Sequence, residues 1–155
     1  MNSYYTLIET LKRIFEDDDR VSTIVTGDTS DVDVYKRNIY PLVHIVVTDS
    51  PYLEQNTSVV TRYNVEVTVV DIRDINKEQK RDKFWLNDNR HDDWNLTRSI
   101  LKEAEVKLIK DKFKTDVTLD SAGSAIPLTF AKENLLDGWQ QGWSIDSPDL
   151  FVDQC

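Results

Sequence analysis

The chain opens on an apolar stripe with helical spacing. Tyr4, Leu7, Ile8, Leu11, Ile14 and Phe15 recur at i, i+3, i+4 and i+7, which predicts an amphipathic helix with Asn2 or Ser3 as its N-cap. The run Glu16-Asp17-Asp18-Asp19 then puts carboxylates where the negative end of a helix dipole disfavours them. The helix is expected to stop there, and the run reads as a solvated face. Val21 to Thr26 is rich in β-branched residues and ends at Gly27-Asp28, so it reads as a short strand or extended segment. The polar stretch TSDVDVYKRN follows as a loop. Its Asp31 and Asp33, with Asp28, imitate the start of a calcium loop but lack the glycine and closing glutamate at the required offsets.

The strongest strand signal is LVHIVVT, Leu42 to Thr48, whose nearly unbroken apolar character fits a strand covered on both faces. Val59 to Ile72 alternates instead. Val59, Tyr63, Val65, Val67 and Val69 face one way, and Arg62, Asn64, Glu66 and Thr68 the other. If unbroken, that run would span roughly 46 Å, well beyond a common strand of about five or six residues. The connection DSPYLEQNTS is longer than the usual hairpin loop of about two to five residues. The pair therefore reads as a hairpin whose tip, near Tyr52 and Leu53, projects beyond the domain and can grip a neighbour. His44 stands among apolar neighbours with no Ser, Cys or acid fixed beside it by any motif, which is the pattern of a structural histidine.

DINKEQKRDK, Asp74 to Lys83, is a charged connector. A second helix is expected from about Asp92 to Phe113, with Leu96, Ile100, Leu101, Ala104 and Leu108 on one face. Thr115 to Leu119 is a possible strand, Ser121 to Ser124 a break, and Ile126, Leu128 and Phe130 a further strand. Pro127 assigns that strand to an edge or a bulge. The last element, LDGWQQGWSIDSPD, sets Trp139, Gln141, Trp143 and Ile145 on one face. Gly138, Gln140, Gly142 and Ser144 on the other could let another backbone approach closely. Two tryptophans so spaced read as a core or subunit contact.

Together these elements predict an α+β fold. A mixed, mostly antiparallel sheet of about 4–5 strands carries two main helices and a long projecting hairpin, in one domain over residues 1–155. Composition adds little to the shape but narrows the chemistry. The chain is 39% hydrophobic and 10% aromatic, as folded proteins are. No apolar run reaches the roughly 18 residues of a membrane span, and the first residues lack a signal peptide's basic flank and apolar core. Residence in a cytosol is the expectation. Cys155 is the single cysteine, which rules out an intrachain disulfide and a cysteine-based zinc site. A net charge of −9 repels phosphates and argues against wrapping nucleic acid.

The stretch that most resembles chemistry is LNDNRHDDWN, Leu86 to Asn95. No HExxH, GxGxxG or GxxxxGK[ST] accompanies it, and Asp71 with Asp74 would have to be forced into a metal-dependent nuclease site. Asn87, Asp88 and Asn89 suit tight turns. Asp92 or Asp93 suits the N-cap of the following helix, worth roughly 0.5–2 kcal/mol. No catalytic, cofactor or metal residue is assigned, and the chain is not expected to be an enzyme.

Taken in order, the helix YYTLIETLKRIFEDD, the strand YPLVHIVV, the loop NDNRHDDWN before a helix, and the strand GWQQGWSIDSPD resemble the tail terminator or tail completion proteins of tailed bacteriophages. The likeness covers nearly the whole chain and rests on order and spacing. It implies a structural virion protein assembled in the bacterial cytoplasm into a homo-oligomeric ring, usually a hexamer, in the neck between tail tube and head connector. Such a ring ends tube growth and leaves a channel for genomic DNA without sequence-specific binding. The implied partners are further copies of itself, the tail tube protein and head–tail connector proteins, with no cofactor and no membrane. Tyr52, Leu53, Glu54, Trp139 and Trp143 are the candidate subunit-interface residues. Two alternatives stand beside this: a head–tail connector or tail-tube relative, and a small acidic inhibitor or immunity protein that meets a basic partner through Trp and Tyr.

Overall fold

The computed structural model describes residues 2–27, 40–53, 60–73, 90–131 and 135–149. Helix α1, Ser3–Glu16, starts where the Asn2 side chain accepts the N–H of Tyr5, as a capping asparagine does. It buries Leu7, Leu11, Ile14 and Phe15 and stops at Glu16, the first residue of the acidic run, with Asp17 as its C-cap. Asp18, expected on a solvated face, is instead buried and bonded to Arg20. Strands β1 (Thr23–Thr26), β2 (Leu42–Asp49) and β3 (Val60–Ile72) follow, then α2 (Arg90–Ile109), β4 (Thr118–Ala122), β5 (Ile126–Ala131) and β6 (Leu135–Pro148).

The fold is α+β, and among the described residues the sheet has six strands rather than the expected 4–5. Its order is β1-β2-β3-β6-β4, with β5 also paired to β6. Only β1 and β2 are parallel; the other pairs are antiparallel. β2 and β3 form the expected hairpin, and β3 pairs with β6 along its whole length, from Val60 opposite Pro148 to Ile72 opposite Leu136. Among the described strands β5 bonds to β6 alone, so Pro127 does lie on an edge strand.

Strand alternation divides the side chains between two faces. Val43, Ile45, Val65, Val67, Val69, Trp143 and Ile145 meet Leu7, Leu11, Phe15, Ile100, Leu101, Ala104 and Leu108, so both helices cover one face. A smaller apolar group of Leu42, Val70 and Leu136, flanked by Val25, Tyr40, Leu128 and Phe130, covers one end of the other face. The rest of that face is polar. β2 is accordingly buried on both sides only from Leu42 to Ile45, not along the whole expected run.

Two boundaries differ from the sequence reading for one reason. The second helix ends at Ile109 instead of continuing to Phe113. Asp111 turns left-handed (φ 46°), and its carboxylate accepts the N–H groups of Thr115 and Asp116. A side chain that offers the backbone such bonds competes with helical ones. Thr115 and Asp116 are thereby held in the loop, and the strand expected from Thr115 begins at Thr118 and runs through Ser121 and Ala122. The connector at 74–83 and the loop at 29–38 lie outside the described residues.

Candidate functional site

Of the stretch LNDNRHDDWN, residues 90–95 are described; Asn87, Asp88 and Asn89 lie outside. The helix already begins at Arg90, which puts Asp92 and Asp93 inside its first turn and not at the N-cap expected for them. Asp92 is exposed and can serve the helix dipole. Asp93 is only 3% exposed and turns toward the sheet.

There it joins Asp71 and Asp137, which are cross-strand partners on β3 and β6. Asp137 is fully buried and held by the Arg73 guanidinium through two bonds of 2.6 and 2.7 Å. The Thr129 hydroxyl donates to it at 2.8 Å, and Arg90 Nε stands 3.7 Å away. Burial pushes the Asp137 carboxyl up, but the bonds from Arg73 and Thr129 outweigh it and leave it below its ordinary value. Asp93 goes the other way. Burial, reinforced by Asp71 and Asp137, pushes it up to about 8. Asp71 is also raised by burial, against the N–H of Ile72 that its carboxylate accepts. Below about pH 8 the group thus holds an ionised Asp137 beside a protonated Asp93, the kind of split that acid–base sites use. Its bonds, however, run between β3, β5 and β6, with α2 docked against them, which makes it a buried network joining four elements. No set of three or more metal-ligating side chains gathers among the described residues.

His44 is fully buried, and its Nε2 donates to the carbonyl of Gly27 at 2.8 Å, which ties the end of β1 to β2. The carbonyl can only accept, so the proton sits on Nε2. A structural histidine fits this position.

The candidate interface residues separate. Tyr52, just past β2, is 85% exposed and Leu53 beside it is half-buried, whereas Glu54 lies outside the described residues. Trp143 is in the core, 1% exposed and stacked on Phe15 with the ring planes 3° apart. Trp139 is partly buried under α2, and its indole N–H donates to the Trp94 carbonyl. Trp143 packs within the subunit, which corrects its assignment to a subunit interface: its strand face is the one that the helices cover. Trp139 packs against α2 but keeps part of its surface exposed. Tyr4 and Tyr5, at the same end of the sheet as the hairpin tip, are exposed and were not singled out as surface residues by the stripe pattern. Tyr4 meets Tyr63 edge-on with centroids 6.0 Å apart, and the Tyr63 hydroxyl pairs with Ser3 Oγ at 2.8 Å. No described helix is long and apolar enough to cross a membrane.

No family model matches the chain, and no curated protein matches its sequence.

Proposed function

We propose that this chain is a structural subunit of a phage virion, which assembles as a ring, with six copies the expected number, on the head-proximal end of the tail tube. In that position it ends tube growth and joins the tail to the head connector around a DNA channel. The observation that carries the reading is the exposed Tyr52 at the end of the β2–β3 hairpin, on the same end of the sheet as exposed Tyr4 and Tyr5. Tyrosines give large contact area at low entropic cost and are favoured at the centres of protein interfaces. One patch on the hairpin of each subunit, set against a different patch on the next, is a heterologous contact, the type that closes into a ring when the rotation between neighbours closes. The net charge of −9 supports a channel role, since each Lys or Arg contact with a phosphate would slow passing DNA.

The test is electron microscopy of the purified protein mixed with its tail tubes, alongside its mass in solution. Rings seated on one end of the tubes are the expected result. A chain that stays monomeric and leaves tube ends bare would overturn the reading and favour the inhibitor class. A variant lacking residues 51–56 should lose the rings; intact rings would clear the hairpin of that role.

A further inference from the structure

The polar face of the sheet is crossed by a cleft of about 240 Å³, lined from four strands and the β4 exit by Thr48, Asn64, Glu66, Ser121, Gly123, Gly142 and Ser144. At about 30 Å³ per water it holds roughly eight waters, enough for a long side chain. Its floor is bare backbone. Gly142 stands opposite Glu66 in the β3–β6 ladder, and the Gly123 N–H donates to the Gly142 carbonyl at 2.8 Å. A Cβ built on Gly142 would meet nothing within 4 Å, so the hole is open space and not a close approach that the fold requires.

The chemistry around the hole has one sign. Among the described residues, Glu66 is the single charged one in the lining. Gln140 Nε2 donates to one of its oxygens, which leaves other acceptor positions of the carboxylate to the cleft. The Thr48 hydroxyl spends its proton on the Asn64 carbonyl, and Asn64 donates to Asp49, so the oxygen of Thr48 is left to accept. Along the same face, Arg62 is held by Asp146 at 2.7 Å and by Asp120 at 3.0 Å, which neutralises its charge. Four carboxylates against one paired guanidinium make this a cation-seeking surface.

We propose that this cleft receives an arginine side chain of a partner protein, with the guanidinium on Glu66 and the hydroxyls of Thr48 and Ser144, and the alkyl stem over Gly142. A planar fork of donors suits a carboxylate flanked by neutral oxygens better than the point charge of an ammonium does. Among the described lining residues an anion would find no cation, and a metal ion would find one carboxylate. The inference concerns a cleft within one subunit and does not depend on the ring.

The test follows backbone amide shifts of Gly123 and Gly142 by NMR during titration with N-acetylarginine amide, its lysine and norleucine counterparts, and an extended peptide holding one arginine. Saturable shifts with arginine, at least tenfold weaker binding with lysine and none with norleucine are expected. The peptide should bind at least threefold tighter than the blocked amino acid. Equal affinity of the two would overturn the protein source, and a norleucine response matching arginine would overturn the site. Gly142→Val should fill the hole and Glu66→Gln should remove its charge, each weakening the response at least tenfold with thermal unfolding unchanged. Retained binding in Glu66→Gln would also overturn the site.

Discussion

The indole N–H of Trp139 donates to the main-chain carbonyl of Trp94 at 2.9 Å, with the two rings 6.4 Å apart. One bond therefore locks the last strand to the first turns of α2. Trp94 in turn points its own N–H at the Leu128 carbonyl, 3.4 Å away, which adds β5 to the contact. Trp139→Phe keeps a ring there but removes the donor. The expected loss is about 1 kcal/mol, the usual net value of one such bond. Urea unfolding of the variant against the parent chain measures it. No change would mean that the bond is an incidental contact.

Trp143 tests whether the double-tryptophan face belongs to one subunit. It is nearly fully buried and stacks on Phe15. Trp143→Ala should cost about 3–5 kcal/mol, the range for emptying a large aromatic site. The loss must appear at protein concentrations where the chain is monomeric. If it scaled with concentration instead, the tryptophan would be acting between copies.

Gly138 and Gly142 share one strand and one face but should respond in opposite ways. A Cβ on Gly138 would sit 2.0 Å from the Val69 carbonyl oxygen and 2.8 Å from a Val70 methyl, so the β3–β6 pair would have to move apart. At Gly142 the same atom meets open space. Gly138→Ala is expected to destabilise by at least about 1–3 kcal/mol, as overpacking does. Gly142→Ala should be neutral or slightly stabilising, because alanine restricts the unfolded chain more than glycine does. Thermal unfolding of both variants decides it, and equal effects would contradict the register.

Arg73 and Asp137 form the most buried ion pair among the described residues, with side chains 8% and 0% exposed. Arg73→Leu leaves a carboxylate in the interior with Thr129 as its main remaining partner, and should cost about 3–5 kcal/mol. The double variant Arg73→Leu, Asp137→Leu should recover much of that, because the uncompensated charge is gone. A double variant as unstable as the single would show that packing, not charge, sets the cost.

These positions show what the sequence could reveal. α1, the β2–β3 hairpin and β6 were legible because their side-chain periods are regular and their ends carry a cap, an acidic run or a glycine. The end of α2 was not, since the competing bonds come from Asp111, a residue that periodicity treats as one more polar position. Period two placed Trp139 and Trp143 on one face but could not say what covers it. The network around Asp137 needs the register that pairs it with Asp71 across two strands. A signal did exist: both aspartates occupy the inward parity of strands whose other inward positions include Val67, Val69 and Trp139.

Asp93 sets the pH dependence on the alkaline side. In the unfolded chain it titrates at the ordinary 3.8, and in the folded chain it keeps its proton to about 8. Between those values the folded state binds a proton that the unfolded state has lost, so stability falls as pH rises and levels off above the window. Asp137 and Asp18 act in the opposite sense at the acid end. Burial raises Asp137, but its bonds from Arg73 and Thr129 bring it below the ordinary value; Asp18 is lowered by its bonds from Arg20. Their contribution is present above the ordinary carboxyl value and is lost as pH falls below it. Stability should therefore peak in mildly acidic solution. Asp93→Asn keeps the shape and removes the larger titration, so between about pH 5 and about pH 9 its curve should fall less than the parent's, with Asp71, also raised by burial, left to give the remaining slope. At the upper end it should exceed the parent chain by an amount on the order of a few kcal/mol, and the gap should close toward about pH 4. Denaturant unfolding of both proteins across that range measures the difference directly. Parallel curves would mean that Asp93 is already ionised in the fold, and that Arg73 is shared between two carboxylates instead of one.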